Sequence, residues 1–301
     1  MRRLRLQMMA GGIITPLFLD IYPGATGAWS FRKLRNGYSG SAIRVRRASD
    51  NAEQNIGFDI NGDLDTTALT TFCSGTNGFI TTWYDQSGNN KNALQTSAIS
   101  QPKIHDSVTG VLTENGKPAA SFDGINDFFL CGLLNGGTKP ANFSSFNVSK
   151  FNTLAGGEQS ICASISSSGT NASSYALFLK MNNASTMAVS AGNSANSGQY
   201  IIGVSTTNST TNQQLNGQIY ISGNNTIFYS RDGLGQSMSY PFGQPYNQSI
   251  GTEFQFAIGR YGESSSRYFN GNQQENIVYP LDLTSTRAAL ETNIKTYFGI
   301  P

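Results

Sequence analysis

The sequence predicts an all-β fold: a sandwich of two antiparallel sheets, preceded by an extended N-terminal arm and closed by a short C-terminal helix. Three observations carry this expectation. Charged residues make up only 13% of the 301 positions, while Gly, Asn, Ser and Thr interrupt the chain at short intervals. Between the interruptions lie short runs of alternating or continuous apolar residues, the pattern of strands and turns. Only one late segment, 284–298, joins good capping residues to apolar residues near one helical face. The length suits one large β domain, and no repeat or linker splits it. The expected organisation is an arm over 1–24 and a single domain over 25–301.

Composition also narrows the partners. The net charge is +2, and basic residues cluster only near the start, in Arg2-Arg3-Leu4-Arg5 and Arg44-Val45-Arg46-Arg47. No basic stripe with interleaved aromatics follows, so nucleic acid is not an expected partner. No apolar run is long enough for a transmembrane helix. Cys73, Cys131 and Cys162 match no zinc spacing, and buried free thiols are the expected state. His105 lies in a polar stretch without convergent partners. The segment Met1–Asp20 has a basic start and an apolar run, but Gly11-Gly12 and Pro16 interrupt it and no clean cleavage site follows. An ordered arm is expected over Met1–Tyr22, tied down by a partner subunit or by the chain's own domain.

The elements follow in order. Ala25–Tyr38 reads as a strand or short helix with Trp29, Phe31 and Leu34 inward. In Ser41–Arg47, Ile43 and Val45 face one way and Arg44 and Arg46 the other, which is a strand. Asp65–Phe72 reads as a short helix capped by Asp65. Gly78–Tyr84 is a strand with Phe79, Thr81 and Trp83 on one face and Ile80, Thr82 and Tyr84 on the other. The stretch 92–118 reads as loop with Gln101-Pro102-Lys103-Ile104 extended, and Pro118–Leu130 as two strands around the tight-turn pair Asp123-Gly124. Strands are then expected at Phe143–Phe151, Gln159–Ser164, Tyr175–Met181, Thr186–Ala191, Tyr200–Ser205, Gln214–Ser222, Thr226–Arg231 and Glu253–Arg260, with hairpin turns at Asn224-Asn225 and Asp232-Gly233. Tyr268–Tyr279 reads as a strand pair, and Thr284 or Ser285 caps the final helix.

The strand Gly78–Tyr84 runs into Asp85-Gln86-Ser87-Gly88-Asn89-Asn90, a dense polar turn. A carboxylate, two aromatic rings and several amides meet there. Trp83, Tyr84, Asp85 and Asn89, with Tyr261, are the residues expected to grip a sugar by stacking and hydrogen bonds. Asp85 and Asn89 are also the candidate oxygen ligands for a calcium ion, the one cofactor considered. The alternative, favoured on the residues alone, is a structural corner in which Asp85 satisfies backbone N–H groups.

Residues Ser30–Gln95 resemble the N-terminal part of the catalytic domain of family 54 α-L-arabinofuranosidases. The similarity is carried by AIRVRRASDNAEQNIGF, by GDLDTTALTTFCSGTNGFITTWYDQSGN with its Thr71–Cys73 and Trp83–Gly88 motifs, and by the NAL that follows. The rest is similar to concanavalin A-like (LamG-type) jelly rolls, with FDGINDFF at Phe122–Phe129 standing where those domains carry a strand of that type. The resemblance implies a jelly roll of two antiparallel sheets. It also implies a retaining glycosidase, which needs a nucleophilic carboxylate and an acid roughly 5 Å apart. Glu263 sits near the place of the family's acid, after Ala257–Gly262. The strand that carries the nucleophile in the family reads MAVSAGN here, and no Asp or Glu occurs between Glu158 and Asp232. The family's adjacent Cys-Cys pair is missing as well. Loss of hydrolysis is therefore expected.

Jelly rolls of this type, with an N-terminal segment much like PLFLDIYPGATGAWSFRKL, resemble bacteriophage tail, fibre and head-decoration proteins. That resemblance implies a virion structural protein whose arm binds other virion proteins, a homo-oligomer with a trimer favoured, and a lectin-like face for cell-surface polysaccharide. The alternative expectation is a secreted carbohydrate-binding protein or an arabinofuranosidase-like glycoside hydrolase.

Overall fold

The computed structural model describes residues 15–138, 140–154, 157–165, 178–182, 186–193, 199–208, 210–224, 226–243, 255–261 and 267–301. The first half is built from α1 (Phe18–Ile21), β1 (Gly27–Ser30), β2 (Ile43–Arg47), β3 (Glu53–Ile56), α2 (Thr66–Phe72), β4 (Gly78–Trp83), β5 (Ala93–Leu94), β6 (Lys103–Asp106), the two-residue strands β7 (Gly110–Val111), β8 (Thr113–Glu114) and β9 (Lys117–Pro118), β10 (Ala120–Asp123) and β11 (Phe129–Leu133). The second half comprises β12 (Phe143–Phe151), β13 (Gln159–Ile165), β14 (Phe178–Asn182), β15 (Thr186–Asn193), β16 (Gln199–Asn208), β17 (Gln214–Ile221), β18 (Thr226–Arg231), β19 (Leu234–Gly235), β20 (Met238–Gly243), β21 (Gln255–Ile258), β22 (Asn270–Tyr279) and α3 (Arg287–Phe298).

One layer runs β18-β17-β12-β22, with β1 and β10 side by side along the far edge of β22. The other runs β11-β21-β13-β14-β15-β16-β20. All these pairings are antiparallel, as the sandwich expectation requires. The group β2, β3, β4 and β6 extends the first layer from β10, and β5 bridges β4 to β11, joining the layers at one end. Between the layers lies a core that includes Trp29, Trp83, Phe122, Phe129, Phe143, Phe256 and Ile258.

The outer face of β12, β17 and β22 is covered by α3. Leu290, Ile294 and Phe298 recur every four residues and pack on Phe146, Val148, Leu215 and Ile277. Gly299, at φ 64°, ends the helix in the left-handed conformation. Its N-terminus lies later than expected: Thr286 flanks it without a capping bond, and Thr284 instead bonds Asp282. The α2 expectation holds, with the Asp65 carboxylate accepting from Ala68 N at 2.9 Å.

Several expectations are corrected. Asp123-Gly124 does not close a hairpin: β10 pairs with β22 and β6, whereas β11 pairs with β21 and β5. The turn is an arch from one layer to the other. Tyr268–Tyr279 holds one long strand rather than a pair. His105 is buried within β6, its Nδ1 3.1 Å from Thr76 O. Asp232 and Gly233 do make a hairpin turn, between β18 and β19, with φ 55° and 85°.

Residues 1–14 of the expected arm lie outside the described residues. Residues 18–21 form a helical turn, not extended chain. Phe18 and Leu19 join the cluster under α3, and Tyr279 donates its hydroxyl to Tyr22 O at 2.7 Å. The described part of this segment is thus held by the chain's own domain. No described helix is long and apolar enough to cross a membrane.

Candidate functional site

The turn after β4 is where the sequence concentrates its polar chemistry, and the fold uses most of it. Between Arg44↔Thr82 and Val45↔Ile80 the register of β2 and β4 shifts by one residue. Thr81 is the extra residue of this bulge. Ile80 and Trp83 consequently enter the same core, against the simple alternation expected for the strand. Trp83 is 0% exposed, stacked on Phe31 at 4.6 Å with Phe129 at its edge. It has no face to offer a sugar.

Asp85 is buried as well. Its Oδ1 accepts from Ala28 N and Ser87 N at 2.9 and 2.8 Å, and its Oδ2 from Ser87 Oγ and Lys91 N at 2.8 and 2.9 Å. An ionised carboxylate has about four acceptor directions, so these bonds occupy all of them and leave none for a cation or a sugar hydroxyl. Gln86 does similar work: its amide donates to Ser30 O and Arg32 O and accepts from Leu34 N. Asn89 is exposed but turns its amide N–H groups onto Ala25 O, Thr26 O and Ser87 Oγ. Tyr84 is half-buried and donates to Asn55 Oδ1 at 2.9 Å. Tyr261 lies beyond the end of β21, 8% exposed, with the Arg267 guanidinium 4.6 Å above its ring. Glu263 lies outside the described residues. Among the described residues no three His, Cys, Asp or Glu side chains gather to hold a metal. Cys73, Cys131 and Cys162 are free and buried.

The same bonds that occupy Asp85 build something else. Asp85 N donates to Asn92 Oδ1 while Lys91 N donates to Asp85, and Trp29 Nε1 donates to Lys91 O at 2.9 Å. The loop from Asn89 to Asn92 is therefore clasped at both ends and in the middle. It forms the wall of a groove of about 570 Å³. Leu130, Cys131 and Gly132 of β11 line it as well, as does Gln255 of β21. Leu94 and Leu130 are directly opposed across β5 and β11, so both present to this groove, and Phe128 lines it too. The Arg260 guanidinium lies 4.0 Å from the Phe128 ring centroid. Asn90, Asn92, Gln95, Thr96 and Gln255 bring amides and a hydroxyl around this apolar floor. The amide of Gln95 is engaged with Phe128 O and Ser97 N, which fixes the loop that follows.

This groove escapes sequence reading because its parts come from three separate segments. Only the Asn-rich run after Gly88 signals it. A groove of this size and mixed lining suits one or two sugar units: apolar surface contacts the C–H faces of a ring, and amides bond its hydroxyls.

The groove opens on the layer that contains β11 and β21. Strands β5, β11, β21, β13, β14, β15, β16 and β20 contain no Asp or Glu anywhere in their sequence. Elsewhere burial, and next the Asp123 carboxylate, push the Asp127 carboxyl up to about 7. Asp127 accepts from Asp123 N at 3.0 Å and lies in the arch between β10 and β11.

Comparison with known proteins bears on the fold. The family described as "Alpha-L-arabinofuranosidase B, catalytic" matches residues 20–117. The fold is a β-sandwich, and two solved arabinofuranosidases share it. The structure of an arabinofuranosidase complexed with arabinofuranosyl-alpha-1,2-xylobiose is similar at a TM-score of 0.59 and 20% identity, over 90% of this chain and 62% of that one. A GH54 a-l-arabinofuranosidase soaked with a cyclic sulfate inhibitor gives 0.59, 19%, 90% and 62%. Trypanosoma rangeli sialidase in complex with sialic acid gives 0.51 and 10%, over 73% of this chain and 32% of that one. The chain thus spans 62% of the length of the arabinofuranosidases it resembles. No curated protein matches the sequence.

Proposed function

We propose that this protein is a carbohydrate-binding β-sandwich that recognises glycans in the groove between the Asn89–Asn92 loop and β11, without hydrolysing them. The observation that carries the reading is the groove's chemistry: amides and a threonine hydroxyl around a floor of Leu94, Phe128 and Leu130, on a layer whose strands carry no carboxylate. Retaining glycoside cleavage needs two carboxyl groups about 5 Å apart. Neither half of that pair can come from these strands. The most specific stretch shared with the arabinofuranosidases, Trp83–Gly88, is also consumed by folding: Trp83 fills the core, and Asp85 and Gln86 bind backbone. On this reading the similarity reflects architecture, and the groove chemistry supports glycan binding.

The matching comparisons concern a carbohydrate-active fold and give no support to a virus-particle protein, so the carbohydrate reading leads. A printed array of plant and microbial glycans, probed with the full chain, tests it. Saturable binding to at least one glycan class is expected, and it is lost in Leu94→Arg, which fills the groove from a residue already 47% exposed. A folded protein that binds no glycan, or one whose binding is untouched by Leu94→Arg, overturns the assignment of the groove.

A further inference from the structure

The Asn89–Asn92 loop has a second side. A neighbouring hollow of about 490 Å³ is lined by Thr26, Asn89, Asn135 and Gly136, and Lys91 lines both this hollow and the groove. Among the described residues no Asp or Glu lines either one. Lys91 is thus the single charged side chain among the described residues that line the two hollows. Its main chain is fixed on both sides, by Asp85 through N and by Trp29 through O. Its ammonium group has no carboxylate within ion-pair distance among the described residues. Lys103, Lys117 and Lys150, by contrast, each hold a carboxylate at 3.0–3.3 Å. An ammonium left unpaired between two amide-lined hollows is a complement for an anionic group on whatever spans them.

We propose that the glycan bound here is acidic, a sugar bearing a carboxylate such as a uronic acid, with its carboxylate paired to Lys91 and its neighbouring neutral units in the two hollows. This inference rests on the groove being the glycan site. It names a ligand charge that a neutral arabinofuranoside does not have. The amides bond hydroxyls on either side, while Lys91 reads the acid. Because the cleft is open to solvent, the charge contributes selectivity that salt erodes.

The test is an array of carboxylated oligosaccharides, each printed beside its methyl ester, probed with the full chain and with Lys91→Met and Lys91→Arg. The side chain of Lys91 makes none of the bonds that clasp the loop, so both variants are expected to fold. The wild type should bind at least one acidic glycan about tenfold more tightly than its ester, a difference of about 1.4 kcal/mol. Lys91→Met should bring that ratio close to one, Lys91→Arg should keep it, and added salt should shrink it. Equal binding of acid and ester, or a ratio unmoved in Lys91→Met, overturns the proposal. Binding of neutral glycans alone, lost in Leu94→Arg, overturns it while leaving the groove assignment standing. Binding of no glycan at all overturns both.

Discussion

Two polar regions of this molecule can be set side by side: the buried hub around Arg32 and the open groove around Lys91. In the hub every charge is answered. Arg32 makes a two-pronged bond to Glu275, Nε to Oε2 at 2.8 Å and Nη2 to Oε1 at 2.9 Å, and Nη1 reaches Asn293. Ser30 donates to the same Glu275, which is 1% exposed. Tyr297 lies 4.5 Å from the guanidinium, and Tyr297 and Lys117 both bond Asp63. This set ties β1, β22 and α3 together. In the groove, an equally polar set points outward, Lys91 is the only charged residue among the described ones that line it, and no described carboxylate answers it. The difference teaches how to separate architecture from recognition in a chain this rich in amides. Polar groups that satisfy one another hold the fold, while those left facing a hollow are available to a ligand.

The largest loss is expected at the hub. Arg32→Met strands the Glu275 carboxylate in the interior and should cost about 3–5 kcal/mol in chemical denaturation. A loss under about 1 kcal/mol would mean that the pair is not the clamp described. Asp85→Ala should come next. It removes the acceptor for three backbone N–H groups, one buried and two partly buried, and at about 1 kcal/mol for each, the low end for a stranded buried group, the loss should be about 3 kcal/mol. Because Asp85 also shapes the groove wall, glycan affinity per folded molecule should fall with it. Unchanged affinity would separate the loop from the site.

Gln255→Ala sharpens the contrast from the other side. Stability should stay within about 0.5 kcal/mol, as at surface positions, while glycan affinity drops about fivefold for one lost hydrogen bond of about 1 kcal/mol. Titration calorimetry of variant and wild type decides it.

A further expected effect is a slope with pH. Asp127 is raised from 3.8 to about 7 by burial and by Asp123. Between these values the folded state keeps a proton that the unfolded chain has released. Stability from this group is complete below about 4, falls as pH rises toward 7, and is gone above it. Asp127→Asn should flatten that part of the stability curve and leave the low-pH value nearly unchanged. An unaltered slope would place the perturbed group elsewhere.

Much of the fold was legible. Local signals sufficed for α2, with its Asp65 cap, for α3, with apolar residues every four positions, and for strands such as β12 and β18. Two kinds of feature were not. Thr81 forms a bulge that only the pairing with β2 reveals, so strict alternation placed Trp83 opposite Ile80 and offered a core tryptophan as a sugar platform. Asp123-Gly124 has the residues of a hairpin turn, yet its strands pair in different layers, and no local rule encodes that choice. The groove was legible only as an amide-rich turn. Its lining residues Phe128, Leu130 and Gln255 come from distant segments that meet through β5, β11 and β21.

The central claim is that the groove binds a glycan and leaves it intact. Its most direct test is calorimetric titration of the full chain with arabinofuranosyl-xylobiose and with carboxylated oligosaccharides, followed by assay of each mixture for released sugar. Saturable binding of at least one of them, abolished in Leu94→Arg and with no monosaccharide released, is the predicted result. Repeated release of arabinose by each protein molecule would contradict the account and make the chain a hydrolase.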